Sequence, residues 1–245
     1  MKDNFSRQST IYAKYRPAYP HQLYDFIFQH VRNKQTAWDC ATGNGQAAKE
    51  LAKTFDKIYA TDISQKQIEN AVQQPNIFYS VQTAEQTNFP DNSFDLITVA
   101  QALHWFRFDD FYTEVKRVAK ANSIFAGWAY SLLHISDEID KLIEDHHYHV
   151  LGNYWDEERK YVDEEYRTIP FPFKKLATPG FIISYEWTHE ELEGYFNTWS
   201  ALQKFITAKN YNPVSELMTR IKTFWKQGKM KINFPIHLLM GQIEK

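Results

Sequence analysis

Glycine is scarce in this sequence. Only 8 of the 245 residues are glycine, about 3%, whereas its usual share is about 7%. A chain that uses glycine so sparingly is expected to keep it where the backbone needs its conformational freedom. Two of the eight, Gly43 and Gly45, lie only one residue apart. This pair therefore indicates where a tight loop, and with it a binding site, is most to be expected.

Cysteine and long apolar runs are equally rare. The single Cys40 excludes a disulfide framework and a cysteine-based zinc site, and it favours a reducing, cytoplasmic setting. No apolar run is long enough for a transmembrane helix, so no membrane partner is expected. The segment Met1–Thr10 is polar and mixed in charge, unlike a secretory signal or a transit peptide.

Charge is unevenly distributed along the chain. The net charge is −2, but residues His134–Glu165 contain 11 acidic and 3 basic side chains, which gives −8 there and +6 elsewhere. No basic stripe interleaved with aromatic residues is present, so nucleic acid is not an expected partner. With 43% hydrophobic residues, the chain can bury one sizeable core, and we predict a single domain over residues 1–245.

Strand-like and helix-like periods alternate over the first 120 residues, which predicts an α/β fold. We expect a Rossmann-like, mostly parallel twisted sheet of about seven strands with helices on both faces. The predicted strands are Gln35–Cys40, Lys57–Ile63, Asn76–Val81, Phe94–Ala100, Ser123–Leu132, Phe181–Trp187 and Lys231–Glu244, and the predicted helices are Gln46–Phe55, one from Ser64, Phe106–Ala119, His134–Gly152, Thr188–Ile206 and one from Asn212–Pro213. Pro235 predicts an edge position or a bulge for the last strand.

The alternation breaks after Leu133, and residues 134–179 are predicted to form an inserted acidic cap over the sheet. Three of the histidines in this segment, at positions 146, 147 and 149, allow the interpretation of a metal site because His146 and His149 share a helical face. Ordinary histidines beside acids on an exposed helix are the simpler interpretation. We therefore predict no metal.

The glycine pair lies in the run WDCATGNGQAA, residues 38–48, which joins the first strand to the first helix. In an open parallel sheet, ligands bind at the carboxyl ends of the strands near the point where the strand order reverses. Asp62 follows at the end of the second strand, where a carboxylate can accept both hydroxyls of a ribose. The pattern predicts an adenosine-bearing cofactor.

Two cofactor classes fit this pattern. Gly43-x-Gly45-x-x-Ala48 matches the dinucleotide fingerprint, which would make the protein an NAD-dependent oxidoreductase. Asp39, at the tip of the first strand, would repel a pyrophosphate but attract an ammonium group. S-adenosylmethionine carries such a group and nicotinamide cofactors do not, so S-adenosylmethionine is favoured.

The run DCATGNGQ resembles motif I of the class I S-adenosylmethionine-dependent methyltransferases, D/E-x-G-x-G-x-G, with Ala41 where the pattern has its first glycine. The segments ATDIS, TAEQTNFPDNSFDLI and AQALHW follow in the family's order. The lead-in YAKYRPAYP is similar to that of the small-molecule, type 11 branch that contains trans-aconitate methyltransferases. The resemblance implies cofactor contacts from Tyr15, Arg16, Asp39, Ala41, Gly43, Gly45, Asp62, Ile63, Ala84, Glu85, Ala100, Gln101 and His104.

The resemblance also implies where a methyl acceptor would bind. His104 follows the fourth strand and is a candidate general base, a candidate donor that orients the acceptor, or a structural histidine. Trp105, Trp128 and Tyr130 are the predicted acceptor pocket. The expected function is in-line methyl transfer to a small molecule by a monomer or homodimer. An NAD-dependent oxidoreductase and a non-catalytic cofactor-binding partner protein are the alternatives.

Overall fold

A computed structural model describes residues 15–226 and 228–245. The expectations for Met1–Thr10 and for the first residues of the YAKYRPAYP lead-in lie outside these ranges. Within the described residues, no helix is both long and apolar enough to cross a bilayer.

The described chain folds into one mixed sheet with helices on both faces. Its strands are β1 (Thr36–Cys40), β2 (Lys57–Asp62), β3 (Ile77–Val81), β4 (Phe94–Ala100), β5 (Ala119–Tyr130), β6 (Lys174–Lys175), β7 (Phe181–Trp187) and β8 (Met230–Gln242). Its α-helices are α1 (His21–His30), α2 (Gln46–Leu51), α3 (Gln65–Glu69), α4 (Phe108–Val118), α5 (Asp137–Asp145), α6 (Lys160–Asp163), α7 (His189–Phe196), α8 (Ser200–Lys209) and α9 (Val214–Lys222).

The strand order is β3-β2-β1-β4-β5-β8-β6, and β7 also pairs with β8. Strands β1 to β5 are parallel, whereas β8 is antiparallel to β5, β6 and β7. The order reverses between β1 and β4, so the carboxyl ends of these two strands flank the switch point of the sheet. The α/β prediction is confirmed, and an eighth strand of two residues joins the seven predicted from the sequence.

The buried residues form two clusters, one on each face of the sheet. Strand β4 is buried at six of its seven residues, as its continuous apolar run predicts for a strand covered on both sides. Helix α4 buries Phe111, Val115 and Val118 at helical spacing and places acids in its first turn and bases in its last. Helices α1 and α2 pack on the other face, through residues such as Leu23 and Leu51.

Strand β8, which contains Pro235, lies inside the sheet, because β5 flanks it on one side and β7 on the other. The prediction of an edge or a bulge is therefore wrong. The β5–β8 ladder ends at the pair Tyr130–Ile236, and only the carbonyl of Pro235 faces that side, where it accepts from the Ser131 N–H. The missing proline N–H thus falls where the ladder with β5 has already ended.

Two predicted helices are interrupted. The segment expected as Thr188–Ile206 forms α7 and α8, with the capping box of Thr188 and Glu191 opening α7 as predicted. The segment expected as His134–Gly152 starts at the N-cap Ser136 and changes after α5 into a π-helix, His146–Val150.

Residues 134–179, the cap segment, lie between β5 and β7 and contribute to both buried clusters. Ile139 and Ile143 of α5 join the cluster that contains α7 to α9, whereas Val162 and Tyr166 join the cluster that contains α4. The ammonium of Lys204 on α8 lies 2.6 Å from the carboxylate of Asp156 and ties the segment to the helices beside it. The cap segment is thus packed into the molecule rather than appended to it.

Candidate functional site

The loop between β1 and α2 has an unusual backbone. Ala41, Gly43 and Gly45 all adopt positive φ, at 54°, 56° and 81°. A Cβ atom at Gly43 would enter open space, whereas one at Gly45 would collide with the hydroxyl of Tyr79. The two glycines are therefore needed for different reasons: Gly43 for its left-handed backbone beside an open space, and Gly45 for its left-handed backbone and a close side-chain approach.

This loop borders a cavity, which we call the loop cavity, at the carboxyl edge of the sheet beside the switch point. It encloses about 950 Å³ of space open to solvent. Seven predicted cofactor residues line it: Arg16, Ala41, Gly43, Asp62, Ile63, Ala100 and Gln101. The fold therefore brings together residues that are up to 85 positions apart in the sequence, as the resemblance implied.

Asp62 is held rigidly at the end of β2. One carboxylate oxygen accepts the Gly43 N–H at 2.9 Å, and the other accepts the Ser64 N–H at 2.9 Å. These bonds tie the glycine loop to the start of α3. Each oxygen has further lone pairs, so the carboxylate can still accept hydroxyl groups from a ligand in the loop cavity.

Asp39 does not line the loop cavity, although the sequence indicated a direct cofactor contact. Its side chain is completely buried beneath the loop and accepts hydroxyl hydrogen bonds from Thr42 at 2.5 Å and Thr98 at 2.8 Å. Burial raises the pKa of Asp39 to about 6, against the lowering effect of these bonds and of one from the Ala48 backbone. Asp39 thus supports the loop from beneath through these hydrogen bonds. The side chains of β1 alternate in direction, and that of Asp39 points into the protein.

A second cavity, which we call the cap cavity, adjoins the first. It encloses about 640 Å³ and is bounded by the end of β5, the cap segment and helices α7 and α8. Arg16, Gln101, Trp105 and Tyr130 line both cavities. The remaining lining residues are His104, Leu132, Trp155, Asp156, Arg159, Tyr195, Trp199 and Ser200. The two spaces therefore meet at the ends of β4 and β5.

Hydrogen bonds order the boundary between the cavities. One terminal guanidinium nitrogen of Arg16 donates to the Tyr130 hydroxyl at 2.8 Å, and the other donates to the Thr198 carbonyl at 3.4 Å. Gln101 has a positive φ of 59°, which is rare for a residue with a side chain. Its buried Nε2 has no hydrogen-bond partner among the described residues. An unpaired buried amide in a strained backbone indicates a position that a ligand completes.

His104 lines the cap cavity and not the loop cavity, so the expected cofactor contact is not part of the loop cavity's lining. It is 6% exposed, and its Nδ1 lies 2.9 Å from the hydroxyl of Tyr166 in the cap segment. Burial, together with the charge of Arg159, lowers the pKa of His104 to about 3. The imidazole is therefore neutral at physiological pH and a weak base.

Several other predicted site residues lie elsewhere. Trp128 is fully buried between the rings of Tyr19 and Tyr24 and lines neither cavity, because it stands two residues short of the end of β5. Trp128, predicted for the acceptor pocket, therefore lies outside both cavities. Tyr15 packs against Gly194 rather than into the loop cavity.

The adenine-flanking pair is also displaced from the loop cavity. Ala84 is buried in the α4-side cluster, and the Glu85 carboxylate accepts the Arg107 N–H at 3.2 Å. Neither residue lines the loop cavity. The carboxylate of Glu85 is used by the loop before α4, which sequence spacing does not reveal.

The histidines of the cap segment differ from both sequence interpretations. Of the three histidines that follow α5, His146 and His147 are buried rather than on an exposed face, and His149 is exposed. Among the described residues, no group of three or more His, Cys, Asp or Glu side chains is arranged to hold a metal ion. The ring of His147 instead packs between Trp155 and Trp199, at centroid distances of 4.7 and 5.4 Å.

Sequence reasoning missed most of the cap cavity. Arg159, Tyr195, Trp199 and Ser200 come from the cap segment and from α7 and α8, where the resemblance to a family is weak or absent. The high aromatic content of the cap segment is a signal in the sequence, but it does not separate side chains that line a cavity from side chains of the core.

Comparison with known proteins decides the family. Residues 38–127 match the family model described as a methyltransferase domain. A Dictyostelium discoideum protein assigned as a methyltransferase is 36% identical over 99% of this chain and 95% of its own. The chain belongs to the class I S-adenosylmethionine-dependent methyltransferases. It is accordingly an enzyme of that family, and the NAD-dependent alternative falls away.

Solved structures agree with this methyltransferase assignment. One from Anaeromyxobacter dehalogenans, assigned as a type II methyltransferase, has a TM-score of 0.87 and 33% identity, and covers 94% of this chain and 98% of that one. A Haemonchus contortus phosphoethanolamine N-methyltransferase 2, solved with S-adenosylhomocysteine, shares the fold at a TM-score of 0.50 and 15% identity, and covers 98% of this chain and 57% of that one. The trans-aconitate branch stays a prediction.

Proposed function

We propose that this methyltransferase binds S-adenosylmethionine in the loop cavity and transfers its methyl group to a small molecule bound in the cap cavity. The observation that carries the proposal is that the two cavities meet at Gln101, Trp105 and Tyr130. A donor in one space and an acceptor in the other would face each other across this boundary. Such an arrangement suits in-line displacement, which needs the two reacting atoms aligned at short distance.

The residues of the loop cavity fit the cofactor. The Asp62 carboxylate stands where it can accept ribose hydroxyls, and Gly43 leaves open space for a close approach to the backbone. The unpaired amide of Gln101 and the guanidinium of Arg16 can donate to oxygen atoms of the amino-acid portion. When bound, S-adenosylmethionine supplies a methyl group made electrophilic by the adjacent sulfonium.

The residues of the cap cavity suit a small acceptor with an apolar body. Trp105, Trp155 and Trp199 provide aromatic walls, and Leu132 adds an aliphatic one. We propose a small molecule as the acceptor and, because the chain has a single cysteine, a cytoplasmic location.

Cofactor binding is tested by calorimetric titration of the purified full chain with S-adenosylmethionine. We expect Asp62→Ala to weaken binding by about 10-fold or more, because a charged hydrogen-bond acceptor is lost. Gly43→Val should also weaken binding, since a branched side chain would project into the loop cavity. Asp56→Ala is the matched control, because Asp56 is exposed and precedes the opposite end of β2. Unaltered affinity in Asp62→Ala would contradict the proposed site.

Acceptor choice is tested by assaying methyl transfer to a broad panel of small molecules, with a protein extract and RNA as further arms. Transfer to a small molecule supports the proposal. Transfer to protein or RNA alone overturns the small-molecule class, and cofactor binding without any transfer favours the non-catalytic alternative.

A further inference from the structure

The role of His104 depends on which of its ring nitrogens carries the proton, and a residue of the cap segment controls that. Tyr166 is 2% exposed and His104 is 6% exposed, so their hydrogen bond of 2.9 Å is shielded from water. His104 is held from its other side by the ring of Trp105, at a centroid distance of 4.8 Å. The ring therefore has one orientation, with Nδ1 directed at Tyr166.

The direction of this hydrogen bond follows from the surroundings of the Tyr166 oxygen. Among the described residues, the Tyr166 hydroxyl has the Nδ1 of His104 as its side-chain partner. Burial raises the pKa of the Tyr166 hydroxyl, and the backbone N–H groups of His104 and Leu103 act against that rise, so donors already face its oxygen. The hydroxyl proton therefore has one acceptor, Nδ1, and the opposite arrangement would leave that proton buried without a partner.

The backbone around Tyr166 is built for this contact. Glu165 and Tyr166 both have positive φ, at 59° and 61°, which is unfavourable for residues with side chains. The turn is closed by the Tyr166 N–H, which donates to the Tyr161 carbonyl at 2.7 Å. Two consecutive strained residues are retained where a side chain must be aimed, and here the side chain is aimed at His104.

We propose that Tyr166 is a positioning residue that donates to Nδ1 of His104 and so holds the imidazole as the tautomer with its N–H at Nε2. The ring lines the cap cavity, and Nε2 is the nitrogen left to face it. His104 thus offers the acceptor a hydrogen-bond donor and does not remove a proton from it. This inference rests on the proposed function for the place of the acceptor, but the tautomer is a property of the protein alone.

The protonation of His104 supports the same assignment. Burial lowers its pKa to about 3, so the ring is neutral across the physiological range, and a neutral imidazole has only one N–H. Arg159, which lines the same cavity, further disfavours a positive charge on the ring. With Nδ1 occupied as an acceptor, the single proton belongs on Nε2.

The tautomer is measured by long-range ¹H–¹⁵N correlation spectra of the histidine-labelled full chain, with the His104 signals assigned from the His104→Gln variant. We expect the Nε2–H pattern for His104 in the wild type from pH 5 to 8. In Tyr166→Phe, signals of the Nδ1–H tautomer should appear. Tyr161→Phe is the control, since its ring packs on Phe108 and has no contact with His104. An Nδ1–H or doubly protonated His104 in the wild type would overturn the proposal even without any variant.

Kinetics provide the second readout. Tyr166→Phe should lower kcat/KM for the acceptor by about fivefold to tenfold, the effect of one hydrogen bond, while the affinity for S-adenosylmethionine is unchanged. His104→Gln keeps an N–H donor and should retain more activity than His104→Leu. Equal loss in these two variants, or full activity in Tyr166→Phe, counts against a donor role. Failure to find any acceptor would sink the proposed function and leave the tautomer result standing.

Discussion

At the scale of single residues, Ala41 shows how a family pattern encodes a backbone requirement. The family has glycine at this position, and Ala41 has a left-handed φ of 54°. The methyl group of alanine is the smallest side chain that this conformation must tolerate, and it lines the loop cavity without filling it. The departure from the pattern is therefore a strained version of the same loop.

Ala41→Gly should stabilise the protein. The left-handed conformation of alanine costs roughly 1–2 kcal/mol, which the substitution removes. Glycine in turn lowers the stability by about 0.5–1 kcal/mol, because the unfolded chain becomes more flexible. We expect a net gain of about 1 kcal/mol in the free energy of unfolding, measured by urea denaturation. Ala52→Gly, at a right-handed position with φ of −62°, should lose stability instead. A loss in both variants would contradict the strain argument.

Asp39 should make stability depend on pH. Its pKa is raised from an ordinary 3.8 to about 6 in the folded state, so the folded state holds the proton more tightly than the unfolded state. The contribution of Asp39 is complete below pH 3.8 and is lost as the pH rises through about 6, by up to about 3 kcal/mol.

Denaturant unfolding of Asp39→Asn between pH 4 and pH 7 measures this contribution. The variant cannot ionise at this position, so its stability relative to the wild type should rise with pH over that range. Asp56→Asn, at an exposed position, should follow the wild type. Parallel curves for the wild type and Asp39→Asn would show that Asp39 does not titrate as described.

At the scale of elements, the π-helix His146–Val150 sets the direction of the histidine side chains in the cap segment. It replaces the expected continuation of α5 and turns His146 and His147 inward, against the tryptophans that border the cap cavity. A π-helix is rare, and its irregular spacing often occurs at functional sites. Periodicity in the sequence assumes a regular helix and therefore placed these histidines on the wrong face.

The cap segment should lose stability in acid because of His146. Burial, and then the neighbouring His147, lowers the pKa of His146 to about 4. Asp145 acts against this lowering, and Arg220 adds to it. The unfolded state therefore binds a proton that the folded state refuses, and the free energy of unfolding falls as pH falls from about 6.5 toward 4. His146→Gln should flatten this fall in urea denaturation at pH 7, 6 and 5, whereas His149→Gln at an exposed position should not. A pH dependence of the free energy of unfolding that is unchanged in His146→Gln would contradict this role of His146.

At the scale of the whole molecule, the sheet and the loop cavity were predictable because each depends on local patterns. Strands β1 to β5 correspond to strand-like runs that alternate with helical periods, and the loop residues are marked by the glycine pair and by Asp62 at a strand end. The cap cavity was not predictable, because its walls come from five separate parts of the chain whose contacts depend on tertiary packing. Asp39 and Trp128 lie outside both cavities for a related reason: consecutive residues of β1 and β5 are buried on both faces of the sheet, so a side chain near a strand end can be buried instead of reaching a cavity.

The position of β8 has a consequence for how the enzyme is made. Strands β6 and β7 pair with β8 and with no other strand of the described sheet, yet both precede it in the chain. During synthesis they must wait without a partner until β8 leaves the ribosome. The residues that line the loop cavity all lie at or before Tyr130, so the half of the site proposed for the cofactor is synthesised first. The half proposed for the acceptor is completed later by the cap segment and helices α7 and α8, and β8 then completes the sheet.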